Sequence, residues 1–193
     1  MARPIEFNKT IALEAAVEAF WTNGYERTSL QDLVDSMDLS KSSFYNAYGS
    51  KHNLFADALL SYSTMMAASL RQRLEAAGSG IGFIEELLSE IVATSTEDSA
   101  RRGCFLMNTA SELAQSDCEI SKITKTGFRQ FQSVFRDAVA RAIEDGEISP
   151  DKNPDRVAWF ILNSVVGLKS LVKAGIDKEN LAQIQGIILN SLR

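Results

Sequence analysis

The sequence predicts an all-α protein of about nine helices, and two observations support this expectation. Apolar residues recur at intervals of three and four along most of the chain, which is the period of an amphipathic helix. Residues that cap or end helices, such as Asn, Ser, Asp, Gly and Pro, fall between these runs. The 193 residues suffice for a small domain followed by a larger one.

Composition excludes several classes of protein. No uninterrupted apolar run approaches the roughly 18 residues that a membrane span needs, and the N-terminus lacks the apolar core of a secretory signal. Cys104 and Cys118 do not amount to a disulfide framework in a chain of this length. We therefore expect a cytoplasmic protein with free thiols and no membrane partner.

The first two helices are predicted from their capping residues. Asn8 is a good N-cap for an apolar run that ends at Gly24, a residue typical of helix C-termini. Thr28 or Ser29 then caps a second, shorter run. Asp38 follows where the chain must turn sharply, and Asp is among the few residues besides Gly that tolerate a left-handed backbone.

A third segment, residues 41–48, has a small, polar and acid-free outer face. Ser40 is placed to cap this segment, and Phe44 points inward. The window from Leu39 to Asn53 holds no acidic side chain, although the formal net charge of the chain is -5. Two short helices joined by a tight turn, the second beginning with small polar residues, describe a helix-turn-helix. Its recognition helix enters the major groove, where DNA phosphates would repel acidic side chains.

The order of residues from Phe20 to Leu59 resembles the DNA-binding domain of the TetR family of bacterial transcriptional repressors. The pattern includes the pair Gly24 and Tyr25 and the aromatic pair Phe44 and Tyr45. The resemblance implies a DNA-contacting role for a set of nine residues. Those assigned to base edges are Lys41, Ser42, Ser43 and Asn46, those assigned to phosphates are Thr28, Tyr45 and Lys51, and Gln31 and Tyr48 complete the set.

Two positions depart from the family's pattern. Asp38 replaces the glycine usual in the turn, which adds a negative charge near the DNA backbone. Ala47 stands where many members carry a histidine or an aromatic residue that touches DNA, so one contact is missing. The resemblance implies a helix-turn-helix DNA-binding domain of three helices at residues 1–50 and a helical ligand-binding and dimerisation domain at 51–193.

Beyond residue 60 the chain again shows helical periodicity. A long helix from Ser50 to about Ala77 is predicted to end at the glycine-rich stretch of residues 78–82. Apolar residues from Phe83 onward indicate the next helix, and a short helix is predicted within residues 103–115. Three more helices follow: one running from Ile120 up to Gly146, one starting near Pro154 and one starting at Lys178.

The last two predicted helices carry more apolar surface than packing against one side of a neighbouring element would bury. The pattern alone leaves two interpretations open, because this surface completes either the core of one chain or an interface with a second copy. TetR-like proteins dimerise through their last two helices, so the resemblance implies a homodimer. The predicted interface residues are Trp159, Leu162, Val166, Leu181, Ile184 and Ile188.

The resemblance also implies a cavity for a small, mostly apolar effector, whose identity the sequence does not give. A set of aromatic, methionine and polar side chains is predicted to line it, and the alternative for any one of them is ordinary core packing. The set consists of Met66, Cys104, Phe105, Met107, Asn108, Ser111, Phe128, Phe131, Phe135, Trp159 and Asn163.

Cys104 has two interpretations. It follows Arg101 and Arg102 at the predicted start of a helix, and such an environment favours a reactive thiolate. One branch of TetR-like repressors senses electrophiles or oxidants through a cysteine in a similar region. The alternative is that Cys104 is a small buried apolar residue.

Motifs that enzymes need are missing from the sequence. His52 is the sole histidine and lies in the helix-turn-helix region, so the body cannot hold a histidine-based triad. One His and two separated Cys do not make a zinc site without several carboxylates, and we expect no cofactor. The resemblance instead implies a ligand-responsive, homodimeric repressor that binds double-stranded operator DNA at a palindrome and is released by a small, mostly apolar or electrophilic effector. The alternative is a helical small-molecule-binding protein whose DNA binding is weak or lost.

Overall fold

The computed structural model describes residues 8–192, and these residues form nine α-helices and one short 3₁₀ helix without any β-strand. The all-α prediction is confirmed. The 3₁₀ helix spans Ala100–Arg102. The α-helices are α1 (Lys9–Asn23), α2 (Leu30–Ser36), α3 (Lys41–Tyr48), α4 (Lys51–Ala76), α5 (Gly80–Ala93), α6 (Phe105–Leu113), α7 (Cys118–Glu144), α8 (Pro154–Lys173) and α9 (Lys178–Leu192).

The chain divides into two compact units. Unit 1 joins the chain up to Tyr62 to the segment Asn108–Thr124, and unit 2 consists of Ser63–Met107 and the chain from Lys125 onward. This division differs from the boundary predicted at residue 50. The physical reason is apolar burial, because the first turns of α4 contribute Leu54 and Phe55 to the core of unit 1.

Aromatic side chains form the core of unit 1. Phe20 of α1, Phe44 of α3 and Phe55 of α4 are completely or almost completely buried. The rings of Phe20 and Phe55 meet edge to face with their centroids 4.8 Å apart, a preferred aromatic geometry. Burial of each such side chain contributes roughly 1.5–3 kcal/mol of hydrophobic stabilisation. The inward direction predicted for Phe44 is confirmed.

The helix caps of unit 1 follow the sequence predictions. The Asn8 side chain accepts hydrogen bonds at the start of α1, and Ser29 forms a reciprocal capping box with Asp32. Ser40 Oγ accepts the backbone N–H of Ser43 at 3.1 Å. Asp38 has φ of 52° and is the one non-glycine residue with positive φ in the described part of the chain. The predicted left-handed turn between α2 and α3 is therefore confirmed.

One boundary in unit 2 differs from the prediction, because α5 begins at Gly80, three residues before Phe83 and inside the glycine-rich stretch where the preceding helix was predicted to end. Ser79 Oγ accepts the backbone N–H of Gly82 at 2.9 Å, and the Glu147 carboxylate accepts that of Ile81 at 3.2 Å. These bonds satisfy the free N–H groups of the first helical turn. The glycines at 80 and 82 are thus part of the helix and do not end it.

Aliphatic and aromatic side chains from α5 to α9 form the core of unit 2. Phe83 of α5 and Phe135 of α7 are almost fully buried and lie with their ring centroids 6.2 Å apart. Between residues 8 and 192, none of the helices combines the length and the apolar character that a membrane span requires.

Candidate nucleic-acid interface

Helix α3 presents a polar face opposite one buried anchor. Phe44 is completely buried, whereas Lys41, Ser42 and Asn46 are exposed. Tyr45 is also exposed, and its ring meets Phe44 edge to face at 5.5 Å. Four of the predicted DNA-contacting residues therefore lie together on one accessible helix face.

The chemistry of this face suits base edges and phosphates. The first turn of α3 carries no acidic residue, and Ser40 caps it from the preceding turn. Amide, hydroxyl and ammonium groups on one short helix can donate to base acceptors, and the amide can also accept from base donors. Ser43 is less available than the others, because it is half-buried and its Oγ lies 2.9 Å from Ser40 Oγ.

The predicted DNA-contacting residues Gln31 and Lys51 lie outside α3. Gln31 is exposed on α2 and donates from Nε2 to Asp35 at 2.8 Å. Lys51 begins α4, and its ammonium lies 4.3 Å from the centroid of the Tyr25 ring, a cation–π geometry. Both side chains are held by neighbours within unit 1, which lowers the entropy lost on binding a phosphate.

The structure differs from the prediction at Thr28 and Tyr48. Thr28 is completely buried, and its hydroxyl donates to the Gly24 carbonyl oxygen at 2.6 Å, so this donor is not free for a phosphate. The Tyr48 hydroxyl oxygen is also buried. Burial, followed by the charge of Asp57, raises the pKa of Tyr48. Neither side chain belongs to the exposed face of α3.

Three residues of unit 1 that the sequence did not assign to any site surround the ends of the helix-turn-helix. Glu112 Oε2 accepts the backbone N–H of Tyr25 at 3.3 Å, and Glu112 Oε1 accepts that of Glu26 at 3.0 Å. His52 Nε2 lies 2.6 Å from Asp117 Oδ2. A hydrogen bond from the Ile120 backbone N–H and a second one with His52 lower the pKa of Asp117. Sequence spacing gives no signal for these pairs, because 65 or more residues separate their members.

The residues predicted to line an effector cavity lie in several places. Trp159 and Asn163 are exposed on α8, and Ser111 is exposed in unit 1. Asn108 is half-buried in unit 1. The remaining members belong to unit 2, where Cys104, Phe105, Phe131 and Phe135 are buried and Met66, Met107 and Phe128 are half-buried.

The predicted dimerisation residues also divide by burial. Leu162, Leu181 and Ile188 are buried within the chain, so their surface is already used in its own core. Val166 and Ile184 are half-buried, and Trp159 is 47% exposed. Two further apolar residues that were not predicted, Phe160 of α8 and Ile187 of α9, are exposed.

Metal ligands do not cluster in the described residues, where no group of three or more His, Cys, Asp or Glu side chains is arranged to hold a metal ion. Cys104 and Cys118 are both free thiols, the first buried and the second exposed.

Both parts of the chain match models of known protein families. Residues 12–58 match the family model of bacterial regulatory proteins of the tetR family, and residues 80–186 match the tetracyclin repressor-like C-terminal domain. An uncharacterized HTH-type transcriptional regulator of Bacillus subtilis (strain 168), YezE, is 30% identical over 193 residues, the whole of both chains. The HTH-type transcriptional repressor ComR of Escherichia coli (strain K12) is 26% identical over 97% of this chain and 90% of its own.

Solved structures of regulators are also similar to this chain over nearly its whole length. A cysteine mutant of the TetR family transcriptional regulator CifR, in complex with 26-bp double-strand operator DNA, is 29% identical over the whole of both chains, with a TM-score of 0.83. Reduced NemR from E. coli has a TM-score of 0.84 at 16% identity over 94% of each chain, a likeness of fold. The matched families and relatives are transcriptional regulators rather than enzymes. This chain belongs to the TetR family of bacterial transcriptional regulators.

Proposed function

We propose that the protein is a homodimeric repressor that binds a palindromic operator and is released from it by a small, mostly apolar or electrophilic effector. The observation that carries the DNA-binding part is the exposed polar face of α3, with Lys41, Tyr45 and Asn46 opposite the buried Phe44. CifR, a relative of similar fold and length, has been captured on double-strand operator DNA. Operator DNA of bacteria lies in the cytoplasm, and we place the protein there.

Repression is the expected sign of regulation. ComR, which is similar over 97% of this chain, is named a transcriptional repressor. A repressor needs only to occupy its operator, and the exposed face of α3 supplies groups for that task. Activation would require a further surface that contacts a partner protein, and nothing at the α3 face favours such a surface.

The homodimer rests on apolar surface and on the energetics of DNA recognition. Trp159, Phe160 and Ile187 are large apolar side chains left exposed on α8 and α9. Such exposed surface on neighbouring helices marks protein–protein contacts. One short recognition helix gives too little affinity, whereas two copies spaced by about one turn of DNA read both halves of a palindrome.

The effector part rests on the buried aromatic side chains of unit 2. Phe105, Phe131 and Phe135 provide an apolar environment, and Cys104 is adjacent to Phe105 at the start of α6. An effector that prefers the DNA-incompetent state reduces operator occupancy, and about 1.4 kcal/mol of preference is a tenfold shift. We expect the change to travel through α4, which begins in unit 1 and ends in unit 2.

Selection from random duplex DNA by the purified protein tests the DNA-binding part. We expect a palindrome to be enriched and its affinity to fall about tenfold or more in Lys41→Ala and Asn46→Ala, because a good base contact contributes roughly 1–3 kcal/mol. Lys125→Ala, an exposed lysine of α7, is the matched control for the loss of one positive charge. If folded wild-type protein enriches no site, the regulator would lack operator binding and the small-molecule-binding alternative would replace the proposal.

Thiol modification tests the electrophile part. The two thiols are separated by variants, because Cys118→Ser leaves only the buried Cys104 and Cys104→Ser leaves only the exposed Cys118. We expect N-ethylmaleimide to weaken operator binding in Cys118→Ser and not in Cys104→Ser. Complete alkylation of Cys104 with unchanged operator affinity would remove electrophiles from the proposal and leave apolar effectors.

A further inference from the structure

The connection between α6 and α7, here called the α6–α7 corner and defined as residues 112–119, belongs to the same compact unit as α1, α2 and α3. It contacts that unit through two carboxylates at two separate points. One point precedes α2, and the other follows α3. These are the two ends of the helix-turn-helix that carries the DNA-facing side chains.

Glu112 holds the end that precedes α2. Its two carboxylate oxygens accept one backbone N–H each, from Tyr25 and from Glu26. Charge-assisted hydrogen bonds to consecutive N–H groups fix the backbone of a turn more firmly than neutral ones. Gly24 permits the approach, because it has φ of 81° and a Cβ atom there would lie 3.1 Å from Glu112 Oε2.

Asp117 holds the end that follows α3. One of its oxygens lies 2.6 Å from His52 Nε2, and the other accepts the backbone N–H groups of Glu119 and Ile120 at 3.0 Å. Asp117 is therefore fixed by the first turn of α7 while it contacts the first turn of α4. Glu119 lies farther from the imidazole, with its carboxylate 3.9 Å from His52 Nδ1.

Tyr25 links the two contact points. Its backbone N–H is bound by Glu112, and its ring meets the ring of His52 at a centroid distance of 6.5 Å. The same ring lies beneath the ammonium of Lys51, a predicted phosphate-contacting residue. The α6–α7 corner thus reaches a DNA-contacting side chain through one aromatic ring.

We propose that Glu112 and Asp117 are positioning residues for operator binding, which hold the two ends of the α2–α3 motif and so fix the orientation in which α3 meets each half-site. This inference rests on the proposed binding of a palindromic operator. Neither carboxylate contacts DNA in this proposal. Their effect passes through the backbone at Tyr25 and Glu26 and through His52.

Conservative substitutions test the proposal with little damage to the fold. Glu112→Gln keeps one acceptor oxygen, but its amide N–H group then faces a backbone N–H instead of accepting from it. Asp117→Asn keeps a good helix-capping side chain and removes the charge that faces His52. Each variant also removes one negative charge, as does Glu85→Gln at an exposed position of α5. General electrostatics predicts equal or tighter DNA binding for all three variants.

The measurement is the affinity of each variant for the selected operator and for operators with single base changes within each half-site. We expect Glu112→Gln and Asp117→Asn to bind the preferred operator about tenfold more weakly and to discriminate less against the single base changes, because each loses a charged hydrogen bond. Glu85→Gln should keep the wild-type preference. Circular dichroism checks that each variant is folded at the assay temperature.

Three outcomes are distinct. Weaker binding and reduced base preference in both corner variants, with Glu85→Gln unchanged, support the positioning role. Wild-type affinity and base preference in both corner variants overturn it and leave the proposed function intact. A folded wild-type protein that selects no palindrome overturns the proposed function, and the positioning role falls with it.

Discussion

Gly80 of α5 lies so close to α7 that a Cβ atom at this position would stand 2.1 Å from the carbonyl oxygen of Ala138. The same atom would lie 2.8 Å from the backbone nitrogen of Ala142. Backbone atoms cannot rotate away as the end of a side chain can, so this approach requires glycine. The contact between Gly80 and Ala138 therefore sets the distance between α5 and α7 within unit 2.

Gly80→Ala should therefore lower the free energy of unfolding by about 1–3 kcal/mol or more, because an overpacked helix contact forces the backbone to shift. Urea unfolding midpoints at one fixed protein concentration measure this change. Gly78→Ala is the control from the same connection, since a Cβ there meets no atom within 4 Å. Equal midpoints for the two variants would show that α5 separates from α7 without loss of stability.

The left-handed turn at Asp38 gives a second prediction about stability. With φ of 52°, this residue adopts a backbone that costs most L-residues about 1–2 kcal/mol. We expect the free energy of unfolding to decrease in the order Asp38→Gly, wild type, Asp38→Ala. Thermal unfolding of the three proteins measures the order, and an alanine variant as stable as the glycine variant would contradict it.

Local structure around the helix-turn-helix could be predicted because each signal acts over a few residues. Asn8, Ser29 and Ser40 cap helices by bonding N–H groups two or three positions away, and the sequence shows both partners together. The same holds for the inward Phe44, because the residues on either side of it in α3, Lys41 to Ser43 and Tyr45 to Asn46, are polar.

Contacts between distant segments could not be predicted in this way. Glu112 and Tyr25 are separated by 87 residues, and nothing in either neighbourhood indicates the other. The helix face that a homodimer would use could not be predicted for a different reason. A helix with apolar residues on two faces does not reveal which face is used inside the chain, and here Ile188 packs inward while its neighbour Ile187 is exposed.

The Asp117 carboxylate gives a prediction for acid unfolding. Hydrogen bonds from Ile120 and with His52 lower its pKa below the ordinary value of 3.8. A carboxyl group with a lowered folded-state pKa stabilises the fold above its unfolded pKa, and this contribution is lost as the pH falls through the folded pKa. Wild type should therefore lose more stability than Asp117→Asn as the pH falls from about 5 to about 3.

Urea unfolding of the two proteins across this pH range measures the difference. Asp32 and Asp177 also have lowered pKa values, and their contributions cancel in the comparison because both proteins retain them. Parallel stability curves for wild type and Asp117→Asn would show that the carboxylate has no net preference for its ionised form in the fold.

The exposed Ile187 gives the sharpest test of the homodimer, because it is 69% exposed and its replacement removes little from the core of the chain. Ile187→Glu places a charge in the proposed apolar interface of each copy, which weakens association by about 2–5 kcal/mol per buried unpaired charge. Ile11→Glu is the matched control, since Ile11 of α1 is 62% exposed. Sedimentation velocity should show a monomer for Ile187→Glu and a dimer for wild type and Ile11→Glu. A dimer in all three proteins would place the interface away from α9.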